Sequence, residues 1–358
     1  MAVSVLEPVA ATAVGGAGAA IAGAIETAVA ADRLGYARCW FTEHHGAAHL
    51  ASPTPAVLIA MAAARTRGIR LGAGGVMLPN HAPLAVAEAY ALLEAAHPGR
   101  IDLGIGRAPG GDPVVTSLLR RAAGASEPGR FARDLDELLS ILGDERGDGL
   151  DSLDALDTAA PLGRAPLGFG PACSPLGSLA GARPSPWLLG SSTAGAELAG
   201  AFGLPFAFAN HFDVGTDPAD AAAAYRDAFA PTAELPEPRL LVTVAAIAAD
   251  SLDEARRLAL PARAVAYETR FGRPQPVRSV EAAERFAATA HDGDAFSRIR
   301  GAQLLGTGEA VARGIRELAE RTGADEIMLT AVTPEPRALQ RTLELVAEAL
   351  GVAPRVPG

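Results

Sequence analysis

Arg38-Cys39-Trp40-Phe41-Thr42-Glu43-His44-His45 is a short apolar run that ends abruptly in three ionisable side chains. Arg38 to Thr42 has the length and aromatic content of a buried strand. Gly35 closes the helical pattern Ala19 to Leu34 before it, and Pro53 and Pro55 mark the start of another, Thr54 to Arg65, after it. A buried strand between two helices is the unit of a parallel sheet. Working outward, the alternation recurs. Val3 to Leu6 reads as the first strand. Ile69 to Gly74 and Ile101 to Ile105 are the third and fourth, followed by helices at Pro83 to Ala96 and Phe131 to Leu142. Beyond Pro186 come strands at Trp187 to Leu189, Pro205 to Ala209, Leu240 to Ala248 and Glu326 to Thr330. Helices are expected at Thr193 to Phe202, Pro218 to Phe229, Leu252 to Ala266, Gly308 to Arg321 and Pro336 to Leu350. About eight strand–helix units suit a (β/α)8 TIM barrel better than a doubly wound open sheet, which would also want an early G-x-G-x-x-G. Residues 1–358 are read as one barrel domain with irregular excursions after strands 4 and 7, at about 143–186 and 267–303. The first lacks any sustained period, and the second is expected to hold one helix.

Composition narrows the chemistry. The 358 residues are 49% hydrophobic and carry a formal net charge of −10, which disfavours nucleic acid and anionic membrane surfaces as partners. No lysine occurs, so Schiff-base chemistry and a P-loop lysine are excluded. Cys39 and Cys173 are far apart and read as reduced, buried thiols. The N-terminus lacks the pattern of a secretory signal. The uncharged run Pro8 to Ile25 is Ala- and Gly-rich and short for a membrane span. A cytoplasmic location is expected.

In a barrel the chemistry gathers at the C-terminal ends of the strands. Glu43, His44 and His45 stand at the end of the second, where a histidine serves as acid or base near neutral pH. No metal is expected: adjacent histidines on an extended strand point apart, and neither H-E-x-x-H nor a carboxylate triad accompanies them. Gly72 to His81, with Gly74, Gly75, Val76, Met77 and Asn80, follows the third strand, where glycines let backbone approach a flat ligand. Arg107 follows the fourth strand, placed to bind an anion bidentately. Gly190-Ser191-Ser192-Thr193 follows the fifth and opens a helix, whose free N–H groups and dipole form a phosphate site or, more plainly, an N-cap. The fourth and fifth strands are neighbours, so one phosphate can touch both. Asn210-His211-Phe212 ends the sixth strand and lines the same rim.

These stretches, with Gly35-Tyr36 and His97 to Asp102, resemble the bacterial luciferase-like flavin-dependent monooxygenases over most of the chain. The nearest branch is single-chain and similar to mensacarcin-type polyketide tailoring oxygenases. The resemblance implies a barrel that takes FMN as FMNH2 from a separate flavin reductase. It implies insertion of one oxygen atom of O2 into a small organic substrate through a flavin C4a-peroxide, as epoxidation or hydroxylation of a polyketide-type metabolite. It implies a homodimer. By motif, His44 matches the catalytic histidine and Gly74-Gly75 a non-prolyl cis peptide beneath the flavin, with Val76 and Met77 beside it. Arg107, Ser191, Ser192 and the backbone near Gly195 match the phosphate set. Glu43, His45, Asn80 and His211 are expected around the substrate. Gly106, Gly195 and Ser191 depart from luciferase itself, which argues against light emission with a long-chain aldehyde. The rival expectations are a deazaflavin-dependent dehydrogenase on the same barrel, a flavin-binding protein without catalysis, and a phosphosugar enzyme without flavin.

Overall fold

The computed structural model describes residues 1–108, 113–119, 129–143, 174–212, 214–290 and 293–355. Its strands are β1 (Ala2–Glu7), β2 (Arg38–Phe41), β3 (Arg70–Met77), β4 (Ile101–Gly106), β5 (Ser185–Gly190), β6 (Phe206–Phe208), β7 (Leu240–Ala248), β8 (Leu304–Gly306) and β9 (Glu326–Thr330). All the strand pairings are parallel, running β1 to β7 in order, then to β9 and back to β1. The expected eight-stranded (β/α)8 barrel is thus closed. Short β8 is an addition, paired to the last residues of β7 through Ala246↔Leu304.

The helices are α1 (Gly16–Leu34), α2 (Pro55–Ala63), α3 (Pro83–Ala96), α4 (Pro113–Leu119), α5 (Arg130–Ile141), α6 (Thr193–Ala201) and α7 (Pro218–Asp227). They continue as α8 (Leu252–Leu258), α9 (Leu260–Phe271), α10 (Val280–Thr289), α11 (Gly293–Arg298), α12 (Gly308–Thr322) and α13 (Pro336–Leu350). Gly35 ends α1 in the left-handed conformation that only glycine adopts cheaply, with φ 89°, as expected of that stop.

Several expectations are corrected. The third strand does not stop at Gly74 but runs to Met77, with a register shift between Ala73 and Val76. The helix expected over Leu252 to Ala266 is two, α8 and α9. Pro261 lacks the N–H that would continue α8 and sits in the first turn of α9. The stretch Tyr267 to Gln303 holds the end of α9 together with α10 and α11, more than the one helix expected. In the first excursion, residues 144–173, with Cys173, lie outside the described residues, and β5 begins at Ser185 rather than Trp187.

The barrel interior is layered. At the base, Arg38 pairs with Asp102 at 2.8 Å and with Glu326 at 2.7 Å, and Arg70 reaches Asp102 at 2.6 Å. One turn of pleat higher, Leu6, Trp40, Trp187, Ala207, Leu241 and Met328 form an apolar plug. Trp40 and Trp187 meet edge to face, their centroids 5.5 Å apart, and Trp187 lies over the Arg38 guanidinium at 4.8 Å. The Trp40 indole N–H donates to Asp102 at 2.9 Å. The closed end thus holds a buried cluster of two arginines and two carboxylates beneath an apolar plug, set apart from the polar groups of the open end.

Candidate active site

Strand register brings the expected residues to one rim. Glu7 lies opposite Phe41, Met77 opposite Gly106, Gly106 opposite Leu189, and Gly190 opposite Phe208. Thr42 to His45, Met77 to His81, Arg107, Ser191 and Asn210-His211 therefore emerge side by side at the C-terminal ends of β2 to β6.

The Gly74–Gly75 peptide is cis. Both positions need glycine for space as well. A Cβ on Gly74 would stand 2.5 Å from Leu6 Cδ1 and 3.2 Å from Trp40 Cβ, and one on Gly75 would stand 2.9 Å from the Gly104 carbonyl oxygen. Gly106 is different, since a Cβ there would meet only the Val76 carbonyl oxygen, at 3.6 Å.

His44 is fixed at two points. Its backbone N–H donates to the Ser52 carbonyl at 3.0 Å, and its Nδ1 lies 3.1 Å from Thr42 Oγ1. Burial, helped by the charge of His49, pushes its pKa down to about 4. His211 is held in the same way, with Nδ1 at 2.5 Å from Thr243 Oγ1. Thr243 spends its one proton on the Phe208 carbonyl at 3.2 Å, so His211 Nδ1 is the donor and its Nε2 keeps a lone pair. Burial and the nearby His44 push His211 down to about 4 as well.

Glu43 faces its neighbours rather than open solvent. Its side chain is 1% exposed, and Oε1 lies 2.8 Å from Nε2 of both His45 and His81. Oε2 accepts from the Met77 backbone N–H at 3.3 Å. His44 and His45 do point apart, as the extended backbone requires, but His45 finds Glu43 and His81. The expectation of no metal leaned on the lack of such a triad, and the fold supplies one from the turn after β3. Asn80 closes that turn, Leu78–Asn80, and is half-buried.

At the phosphate end, Arg107 is exposed directly after β4, and neither it nor the Ser191 hydroxyl has a hydrogen-bonding partner among the described residues. Ser192 caps α6, its Oγ accepting from the Gly195 N–H at 3.2 Å. The plain capping role is thus realised at Ser192.

Sequence reasoning missed two participants. His81 was inside a quoted stretch but unassigned, because only the barrel brings it to Glu43. His49 is a lone histidine in an Ala-rich loop. Its Nδ1 is buried without a hydrogen-bond partner among the described residues, and its charge bears on His44.

A family model described as luciferase-like monooxygenase matches residues 1–326. The luciferase-like monooxygenase of Escherichia coli (strain K12) is 34% identical over 329 residues, 90% of this chain and 89% of that protein. The N-acetyl-S-alkylcysteine monooxygenase of Bacillus subtilis (strain 168) is 30% identical over 334 residues, 92% of each. Among solved structures, apo-MsnO8, a mensacarcin-type oxygenase, gives a TM-score of 0.81 at 30% identity over 99% of this chain and 98% of that one. The fold alone is shared with the oxygenating constituent of 3,6-diketocamphane monooxygenase from Pseudomonas putida, in complex with FMN, at 20% identity and TM-score 0.66 over 100% and 99% of the two chains. It is shared likewise with an F420-dependent secondary alcohol dehydrogenase, at 14% and 0.62 over 98% of each. With the family matched along most of its length, this chain is an oxidoreductase belonging to the luciferase-like monooxygenases.

Proposed function

We propose that the chain, as one barrel domain in the cytoplasm, is an FMNH2-dependent monooxygenase. In this reading a separate reductase supplies the reduced flavin, and a small organic substrate of polyketide type is epoxidised or hydroxylated. The observation that carries it is the convergence of a glycine-built strand end, an exposed guanidinium and a helix N-terminus on the adjacent strands β3, β4 and β5. A phosphate fits between Arg107, Ser191 and the first turn of α6, where charge-assisted hydrogen bonds and the helix dipole add. A flat ring system fits against the strand end Gly74 to Met77, whose Gly74 and Met77 are partly exposed. Reduced FMN, when bound, supplies the two electrons that let one atom of O2 enter the substrate while the other leaves as water.

The remaining work falls to the protein. Thr42 Oγ1 lies 3.4 Å from the Pro8 carbonyl. When Thr42 gives its proton to that carbonyl, His44 Nδ1 is the donor and Nε2 is left as the base. His44 then takes or returns a proton at Nε2, next to the substrate. His211 offers a second Nε2 lone pair to a substrate hydroxyl. Asn80, His45 and Glu43 shape the wall of the pocket.

The runner-up is hydride transfer with a deazaflavin, favoured by the shared fold of the F420-dependent dehydrogenase. Anaerobic titration with FMN and FMNH2, followed by an oxygen pulse, separates the two. Tight FMNH2 binding, and reoxidation kinetics that differ from those of free FMNH2, support oxygenation. Reoxidation at the rate of free flavin, with no binding, overturns it.

We read the active unit as a homodimer. Val57, Ala60, Met61 and Ala64 form an exposed uncharged stripe on and just beyond α2, and Leu84 and Leu92 extend it on neighbouring α3. A helix apolar on both faces wants a cover, and a second copy supplies one of matching chemistry.

A further inference from the structure

We infer that Glu43, His45 and His81 form a binding site for one divalent first-row transition metal ion. One ligand atom from each lies within 4.8 Å of the others. The two Nε2 atoms each stand 2.8 Å from Glu43 Oε1. Bonds of about 2.0–2.1 Å at right angles place neighbouring donors about 2.9 Å apart, so each imidazole already stands at that spacing from the carboxylate, and the two Nε2 atoms, within 4.8 Å of each other, need only a small adjustment to share one ion. Two imidazoles and one carboxylate on a single face, with the other positions open, is a donor set that suits zinc, cobalt, nickel or iron in the divalent state.

The surroundings hold the carboxylate as a ligand needs to be held. Oε2 is fixed by the Met77 N–H, which leaves Oε1 to the ion. Glu43 is 1% exposed, whereas the His45 and His81 side chains are 12% and 31% exposed, so an ion has a way in. The three donors come from the end of β2 and the turn after β3. A bound ion would tie those two segments together beside the glycine run. The site is separate from the proposed phosphate end and does not depend on the flavin reading.

The test is made on flavin-free, chelator-treated protein. Isothermal titration with Zn2+ and the visible absorption of added Co2+ are measured on the parent chain and on His81→Ala, His45→Ala and His97→Ala. One ion per chain is expected in the parent, with a rise in melting temperature on adding Zn2+. His81→Ala and His45→Ala should each weaken binding at least a hundredfold and abolish that rise. His97→Ala, at the far end of α3, should change nothing. The absence of saturable binding in the parent overturns the proposal. So does binding that survives in both His81→Ala and His45→Ala, since the ion would then sit elsewhere. Because His81 is only partly buried and lies in a turn outside the core, its loss should leave the circular dichroism unchanged. Binding retained in a folded His81→Ala is decisive by itself. FMN binding is measured separately, so failure here and failure of the oxygenase reading give different results.

Discussion

His44 and Arg107 stand at opposite ends of the proposed flavin site, and their substitutions should divide binding from chemistry. His44→Ala removes the base at Nε2 but no phosphate contact. FMN affinity, followed by flavin fluorescence, should stay within about twofold, while product formation falls by about 10²–10⁴-fold, the usual worth of a positioned acid–base group. Arg107→Ala should do the reverse. Loss of a charge-assisted contact costs about 1.5–3 kcal/mol, so FMN and FMNH2 should bind roughly 10- to 100-fold more weakly. If Arg107→Ala left both affinities unchanged, the proposed phosphate position between Arg107 and the start of α6 would be wrong. At this scale legibility depended on how local the signal is. His44 was readable because ionisable groups follow an apolar strand directly. His81 was not, because its partner Glu43 is 38 positions away and only the pairing of β2 with β3 makes them neighbours.

β3 shows how an element can be read correctly in kind and wrongly in extent. Its start was legible, but the sequence pattern ends the strand at Gly74, since glycines weaken strand propensity, whereas it runs on to Met77. In the strand the positions of Gly72, Gly74 and Gly75 need glycine, because side chains from β1 and β2 and backbone from β4 leave no room for a Cβ. The contrast between two glycines tests this. Gly74→Ala puts a methyl group 2.5 Å from Leu6 Cδ1, so the interior plug must shift. The expected loss is about 1–3 kcal/mol in chemical denaturation, with an unchanged slope. Gly106→Ala meets nothing closer than 3.6 Å and should stay within about 0.5 kcal/mol. Strands β1, β7 and β9 and helices α3 and α13 were legible because apolar runs end cleanly at Gly, Pro or polar residues. Short α4 and β8 offered too few positions to show a period. The apolar stripe on α2 and α3 gives a second prediction at this scale. Met61→Glu places a charge in the proposed interface, and light scattering should show a dimer in the parent chain and a monomer in the variant. A parent chain that is monomeric at tens of micromolar would refute the interface.

Over the whole molecule, stability should depend on pH through buried groups at the barrel rim with opposite signs. His211 is held neutral, its pKa pushed by burial from 6.5 down to about 4. The unfolded chain therefore binds its proton first on acidification, and stability is lost as pH falls from 6.5 towards 4. Glu7 is the counterweight. Burial, only partly offset by the Val9 N–H and Thr27, pushes its pKa from 4.5 up to about 7, and burial, helped by the charge of Glu7, pushes the Cys39 thiol up as well. A raised carboxyl favours folding in its protonated form, so its contribution is complete below 4.5 and disappears as pH rises through 7. Between pH 4.5 and 6.5 Glu7 opposes the histidines, but His44 is held neutral in the same way as His211, so the parent chain should still lose stability on acidification there, by less than the two histidines alone would impose. Glu7→Gln isolates the carboxyl contribution. The amide oxygen can still accept from the Val9 N–H, at 2.8 Å in the parent, but nothing titrates. Urea denaturation from pH 4 to 8.5 should show the difference between variant and parent growing in favour of the variant as pH rises, by about 3 kcal/mol in all. At pH 4 the two should be nearly equal. A difference that is constant with pH would mean that Glu7 is ionised at ordinary pH inside the fold. Its carboxylate would then have to be stabilised by more than one backbone N–H and one hydroxyl.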